Sequence, residues 1–453
     1  MLRAVNDKSP CGEQRRPLPR PCSASQNRHG LFSALACALI WLCSGSANVQ
    51  AQFCEQVFQD RFESQIGGQV GAQNGALFDS QLQYIAAWED DADGNGFNDL
   101  RGISVGSLPF ELRLNDISAG EQRSVQLAMA GNGDFVVVWA DSPNQSSEFD
   151  IYMRGFNADG SERFSTRRIN IETDGEQIAP DVAMAANGDF VVVWADDEDG
   201  NGFFQIRGRG YFANGAQKFG DSELNNLGAG DQLDPVVAMA DDARFVVAWA
   251  DDRDNDKIYD ISARRFSASG SPQGSQFYVH AEREGLQAEP ALAVGPEGAF
   301  VIAWRDDNDL NFYSQIHASA FDASGTARFT DRRLNSVGRG NQYQPAVAMQ
   351  DDGRFIATWI DQGQQVMARI FDVDGTPQFE DRIVNQDRFR PHSQPDVAVA
   401  EGGQFLVVWE ELNAGGRWRL RGQSLTSGGD CLVGTSIAGE RGGDQRAPVV
   451  AVR

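Results

Sequence analysis

Residues 180–195 read PDVAMAANGDFVVVWA; 235–250 and 290–305 repeat the pattern as PVVAMADDARFVVAWA and PALAVGPEGAFVIAWR. The core of each, FVVVWA or its variant, is apolar at successive positions rather than at alternate ones. A strand of that kind needs cover on both faces. The preceding NGD-type turn and the Pro-led segment before it make a hairpin with that strand. In the clearest copy a second hairpin follows: FQIRGRGYF ends at Phe212, Asn214-Gly215 turns the chain, and a last strand closes near Leu224-Asn225. Each copy is therefore a four-stranded antiparallel unit.

The copies run through the whole chain. Tryptophans fall at Trp88, Trp139, Trp194, Trp249, Trp304, Trp359 and Trp409, with spacings of 51, 55, 55, 55, 55 and 50. An aromatic lies four residues before each, from Tyr84 and Phe135 to Phe355 and Phe405. An acid lies two residues after each: Asp90, Asp141, Asp196, Asp251, Asp306, Asp361 and Glu411. A strand-ending Asn recurs at Asn115, Asn170, Asn225, Asn335 and Asn385, with His280 once in that slot. A unit of about 55 residues covers both faces of its central strand only by stacking on neighbours. An open stack would leave two bare end faces, and no capping unit is visible. A closed ring removes the ends, so the expected fold is all-β: a seven-bladed β-propeller of four-stranded blades.

The tail supports closure. Residues 444–452, DQRAPVVAV, repeat the opening of a unit, as in DQLDPVVAM at 231–239, and the chain stops one strand into an eighth copy. The matching segment of the first unit, Asn74 to Phe78, is degenerate. The C-terminal strand is therefore expected to complete the first blade. Expected boundaries are 66–118, 119–173, 174–228, 229–283, 284–338, 339–388 and 389–430 for the blades, with a closing segment at 431–453.

Residues 1–30 are polar and basic, and Leu31 to Cys43 form a 13-residue apolar run, too short to span a membrane comfortably. Small residues follow, and Val49-Gln50-Ala51 fits a cleavage site, so 1–51 read as a signal peptide. Of six cysteines only Cys54, in an N-terminal segment at 52–65, and Cys431 survive its removal. In an oxidising compartment these two are expected to form a disulfide between the neighbouring ends of the ring. The expected location is secreted, periplasmic or cell-surface. The chain carries 39 Lys+Arg against 64 Asp+Glu, a net charge of −25, which argues against nucleic acid as a partner.

The acids concentrate in one family of loops. At three, five and seven residues after the Trp stand Asp91, Asp93 and Asn95; Asp197, Asp199 and Asn201; Asp252, Asp254 and Asp256; and Asp307, Asp309 and Asn311. Alternate oxygens on a tight loop suit Ca²⁺, which takes six to eight oxygen ligands. By repeat symmetry these loops share one face. The first loop adds Gly96 and Asp99, and the third keeps Gly202; the fourth and fifth lack the Gly, which makes them the poorer Ca²⁺ candidates. A transition metal is not expected, since His280 and His392 lie in different repeats.

The phrase GDFVVVWADD, followed by an I-x-x-R-x-F strand and a small-residue-Gly turn, resembles repeats of secreted bacterial proteins of largely unassigned role. The string DADGNGFND at 91–99 resembles the calcium loop of FG-GAP repeats in integrin-type propellers and the start of an EF-hand loop. That likeness implies Asp91, Asp93, Asn95 and Asp99 as ligands. No loop has the final EF-hand Glu, and the remainder of the FG-GAP pattern is missing.

Enzyme signals are thin, and no catalytic residue is assigned. Gly102-Ile103-Ser104-Val105-Gly106 matches G-x-S-x-G, but in strand register with no helix after it, where a nucleophile elbow does not form. Trp418 has no counterpart in other repeats and is a candidate ligand platform. The expected function is a monomeric, calcium-stabilised binding, adhesion or scaffold module with a protein or glycan ligand. The alternative is a carbohydrate-active hydrolase or lyase using acids of the propeller face.

Overall fold

The computed structural model describes residues 84–452, except 92–94, 106–109, 117–119, 143–147, 227–229, 282–283, 308–312, 363, 401 and 438–442; for 105 and 433–436 it describes the backbone alone. The expected signal peptide, the segment at 52–65 with Cys54, and the residues up to 83 lie outside this set. The described residues form seven four-stranded antiparallel sheets and no helix. None therefore contains a helix long and apolar enough to cross a membrane.

Blade 3 shows the plan. Its strands, from inner to outer, are Gln177–Met184, Phe190–Asp196, Gln205–Tyr211 and Gln217–Glu223. Seven inner strands pack side by side in succession, and the last, Gln445–Val452, lies between those of blades 7 and 2. That strand also pairs with Tyr84–Asp90, so blade 1 is built from both ends of the propeller and the ring is closed by the C-terminus.

The two-sided apolar strand explains the closure. Phe190, Val192 and Trp194 pack into a cluster with Val136, Val138 and Ile151 of blade 2. Val191, Val193 and Ala195 pack the other way, with Val237, Phe245 and Trp249 of blade 4. Seven such clusters exist, one at each interface between blades, and Trp88 with Leu406 and Val408 marks the one that joins blade 1 to blade 7. Six of the seven Trp side chains are wholly buried and Trp409 is nearly so. Rings of this size remove on the order of 150–250 Å² each from water, so every interface has a large hydrophobic share.

A polar relay runs in full through two of these interfaces, those of blade 2 with blades 1 and 3. In blade 3 the Trp194 indole N–H donates to Asp196 Oδ2 at 2.9 Å, and Gln177 Nε2 donates to Asp196 Oδ1 at 3.2 Å. Asn170, at the end of blade 2, donates to Gln177 Oε1 at 2.8 Å and accepts the Ile151 N–H at 2.9 Å. The Asn115–Gln122–Asp141–Trp139 relay repeats this between blades 1 and 2. In the slot where His280 replaces Asn, its Nε2 accepts the Ile261 N–H at 2.9 Å. The Arg of the I-x-x-R strand adds a second tie: Arg154, Arg209, Arg264 and Arg369 each donate to a backbone carbonyl of the preceding blade.

The recurrent proline sits at a bulge. Each inner strand breaks register at its third or fourth residue, where a non-glycine residue has positive φ: Ser124, Ala179, Asp234, Glu289, Gln344, Gln394 and Ala447. Proline follows six of them. It has no N–H to give to the ladder, and at the bulge no ladder bond is required of it.

Replacing Asn170 by Ala is expected to destabilise the propeller by on the order of 2–4 kcal/mol, because it strands both the Ile151 N–H and the Gln177 amide in a buried interface. Urea unfolding of the variant, beside a control Asn132→Ala in an exposed turn, measures this. Equal midpoints for the two variants would deny the relay an energetic role.

Candidate functional site

Strand direction fixes which segments share a face. The loops between second and third strands, and the connections leading into each next inner strand, all emerge at the end where the Trp strand finishes. The acid loops lie there.

Within them the Asp three residues after Trp has a common task. Asp91 accepts the Gly96 N–H at 3.3 Å, both Asp197 oxygens accept the Gly202 N–H at 3.1 and 3.2 Å, and Asp252 Oδ1 accepts the Asp256 and Lys257 N–H groups at 2.9 and 3.1 Å. Asn95 and Asn201 each accept the N–H two residues on, from Phe97 and Phe203. These bonds close the loops as Asx turns.

The loops differ in what they bring together. In the fourth repeat, oxygens of Asp252, Asp254 and Asp256 lie within 4.8 Å of one another. Asp252 is fully buried, its Oδ2 accepts no hydrogen bond, and Lys257 Nζ stands 3.7 Å from it. The Lys257 side chain is 64% exposed and able to swing aside. The convergence thus occurs in a repeat that lacks the turn Gly. In the first loop Asp99 instead heads the third strand, where it is ion-paired with Arg113 and accepts from Asn115 Nδ2 at 3.2 Å. In the third loop Asp199 accepts from the Asn201 amide at 2.8 Å. In the fifth, Asp307 begins the loop; Asp93, Asp309 and Asn311 lie outside the described residues.

The remaining expectations fall as follows. Cys431 opens the outer strand of blade 7, and Cys54 lies outside the described residues. Gly102–Val105 belong to a strand paired on both sides in blade 1. Trp418 begins the third strand of blade 7 at the acid-loop end, and the Arg446 guanidinium lies 4.6 Å over its ring.

Beside that stack are carboxylates that the repeat pattern flags only by its exceptions. The residue after the repeat Trp is Ala140, Ala195 and Ala250 in blades 2–4, but Glu89 in blade 1 and Glu410 in blade 7. Glu410 Oε1 accepts the Ala447 N–H at 2.5 Å and lies 3.3 Å from Arg446 Nε; Oε2 accepts from Ser393 Oγ at 2.8 Å. Glu89 Oε1 accepts the Ser124 N–H at 2.6 Å and Oε2 accepts from Asn98 Nδ2 at 3.1 Å. Both acids thus satisfy an amide at the bulge of the next inner strand. Burial holds the Glu89 carboxyl up at about 7, against the pull of the Ser124 N–H and with help from Glu121 and Glu410.

Deeper in the ring, Asp181 Oδ1 and Oδ2 accept the Val182 and Val237 N–H groups at 2.8 and 2.7 Å, which ties the inner strands of blades 3 and 4. Asp396 does the same for blades 7 and 1 through Val397 and Val450, both at 2.8 Å. Burial raises Asp181 to about 7 and Asp396 to about 6, and the Asp396 charge adds to the rise at Asp181.

No family model matches the chain, and no curated protein matches it. Among solved structures it is similar to an alpha-L-arabinofuranosidase from Fusarium graminearum, with 10% identity and a TM-score of 0.47 over 67% of this chain and 93% of that one. A protein of unknown function from Dyadobacter fermentans gives 11% and 0.46 over 67% and 93%. The propeller domain of the Trilobed protease from Pyrococcus furiosus gives 11% and 0.45 over 75% and 91%. The class is defined by the sheets themselves: this is a seven-bladed β-propeller closed by its C-terminal strand.

Asp181 and Asp396 keep protons in the folded chain up to near neutrality, whereas an unfolded Asp loses its proton near pH 4. Folding therefore takes up protons between roughly pH 4 and 7, and stability contributed by these groups falls as pH rises through that window. The melting temperature of an Asp181→Asn, Asp396→Asn double variant is expected to fall less from pH 5 to pH 8 than that of the parent. Parallel profiles would show that these two groups do not set the slope.

Proposed function

We propose that the propeller is a recognition module, secreted or held at the cell surface, that binds a protein or neutral glycan on its acid-loop face, with Ca²⁺ bracing the loops. One observation carries this reading. Of the eight large apolar side chains exposed among the described residues, Ile171, Ile258, Tyr313, Val337 and Phe389 lie in loops or connections of that face, and Phe389 is 99% exposed; Phe212 and Val373 lie in turns of the opposite face and Leu432 in the outer strand of blade 7. Apolar groups distributed over a charged rim are what a binding surface offers and what a solvated rim has no need of. The acidic surroundings favour neutral or basic ligands over polyanions.

The calcium part rests on the convergent carboxylates of the fourth loop and the unsatisfied buried oxygen of Asp252. A hydrophilic cation there would relieve the repulsion among the three acids. A disulfide from Cys431 to Cys54 and removal of 1–51 belong to the same secreted reading. The hydrolase or lyase alternative needs two carboxyl groups free to act on a glycosidic bond. It is disfavoured because Glu89 and Glu410 are both committed to backbone amides and neighbouring side chains.

Millimolar Ca²⁺ is expected to raise the melting temperature and chelator to lower it; a ligand at a hundred times its Kd adds about 2.7 kcal/mol. Asp252→Asn, which keeps the acceptor for the loop amides, should lose part of that rise. A melting temperature indifferent to both Ca²⁺ and chelator would remove the metal. For the surface, the mature chain is expected to be retained on a neutral-glycan array or on intact cells, and the Ile171→Ser, Phe389→Ser variant to lose retention with its melting temperature unchanged. Release of reducing ends from a polysaccharide, abolished by Glu89→Gln, would replace this reading by the hydrolase.

A further inference from the structure

We propose that blade 5 carries a second kind of metal site, made by Asp306, His317 and Asp331, for a borderline divalent ion such as Zn²⁺. The three come from adjacent strands of one sheet: Phe300–Asp306, Gln315–Phe321 and Ala327–Arg333. One donor atom from each lies within 4.8 Å of the others. His317 Nδ1 is 2.7 Å from Asp331 Oδ1 and 3.9 Å from Asp306 Oδ2. Sites on paired strands hold their geometry better than sites on loops.

The surroundings orient the donors. The Trp304 indole N–H donates to Asp306 Oδ2 at 2.8 Å, and the Asp331 N–H donates to Ser319 Oγ at 2.9 Å. Side-chain exposures are 1% for Asp306 and 13% for each of the others, so the cluster is sheltered yet open on one side. Among the described residues the other imidazoles are shut away: His280 and His392 have wholly buried side chains, His280 accepts the Ile261 N–H, and His392 Nδ1 meets the Gln364 carbonyl oxygen.

A second observation comes from blade 3. The same three repeat positions there hold Asp196, Arg207 and Asp221. Arg207 Nη1 lies 3.8 Å from Asp221 Oδ1 and its Nη2 is ion-paired with Glu198; burial raises the pKa of both Asp196 and Asp221, and the guanidinium pulls each back down. The fold thus places two acids about a position that blade 3 fills with a permanent cation. Blade 5 keeps both acids and substitutes an imidazole, which has a nitrogen lone pair to offer a metal ion where a guanidinium has none. One nitrogen and two carboxylates suit Zn²⁺ and similar ions and are a poor set for Ca²⁺.

The test is Zn²⁺ binding by equilibrium dialysis of the mature chain at pH 7.5 in saturating Ca²⁺. The acid loops are then occupied if they bind Ca²⁺ at all, so failure of the calcium reading leaves this result intact. One equivalent of Zn²⁺ is expected. His317→Arg recreates the blade 3 arrangement and should fold; it and Asp331→Asn are each expected to weaken binding by at least tenfold, the lower range for disturbing even an outer partner of a metal ligand. No bound Zn²⁺ in the parent overturns the proposal. So does an equivalent retained unchanged in either variant.

Discussion

The structure depends on one constraint: the Trp-bearing strand is apolar on both faces, and a single four-stranded sheet cannot cover it. Phe190, Val192 and Trp194 need blade 2, and Val191, Val193 and Ala195 need blade 4. A linear array would expose one such face at each end, at a cost comparable to losing a whole interface. Closure through Gln445–Val452 removes both exposed faces, and the joint it makes between blades 7 and 1 has the same kind of apolar cluster as the rest. Around blade 2 the Trp–Asp–Gln–Asn relay then fixes register, because a blade slipped by one residue would bury unpaired amides.

Closure also explains where chemistry can gather. The inner strands crowd round the axis, and each relaxes through a bulge whose residue has positive φ. A bulge leaves an N–H without its ladder partner. At Ser124 and Ala447 the acceptor is a glutamate of the preceding blade; at Gln344 it is Glu289, and at Gln394 it is the Gln344 amide oxygen. The axial carboxylates are therefore first of all answers to a backbone problem. The raised pKa values of Glu89, Asp181 and Asp396 follow first from burial, so the rise by itself does not single out a catalytic group.

Much of this was legible in the sequence. The Trp spacing gave the blade count, the two-sided apolar strand gave the ring, and the DQRAPVVAV tail gave the closure. The acid after each Trp and the strand-ending Asn were visible as repeats, but their partnership was not: Asn170 and Asp196 meet only through Gln177, across an interface. Glu89 and Glu410 were legible in principle as departures from Ala at the position after Trp, a signal that averaging over repeats suppresses. In the loops, spacing favoured the first, where Asp99 is ion-paired with Arg113 and Asp93 lies outside the described residues; the fourth, without the turn Gly, brings its three acids together.

A chain with a net charge of −25 that buries carboxylates at equivalent positions must neutralise them blade by blade. Blade 3 pairs Arg207 with Glu198 and Asp221; blade 4 sets Arg253 on Asp251 and Lys257 beside Asp252; blade 5 presents His317 to Asp306 and Asp331. These cations differ in how easily they are displaced. A guanidinium is a permanent charge, an exposed ammonium can swing out, and an imidazole has a nitrogen lone pair that a metal ion can take. Repeat symmetry thus supplies the same acidic framework several times over. The side chain paired with each copy determines whether that framework remains a structural ion pair or becomes a site that an ion from solution can enter.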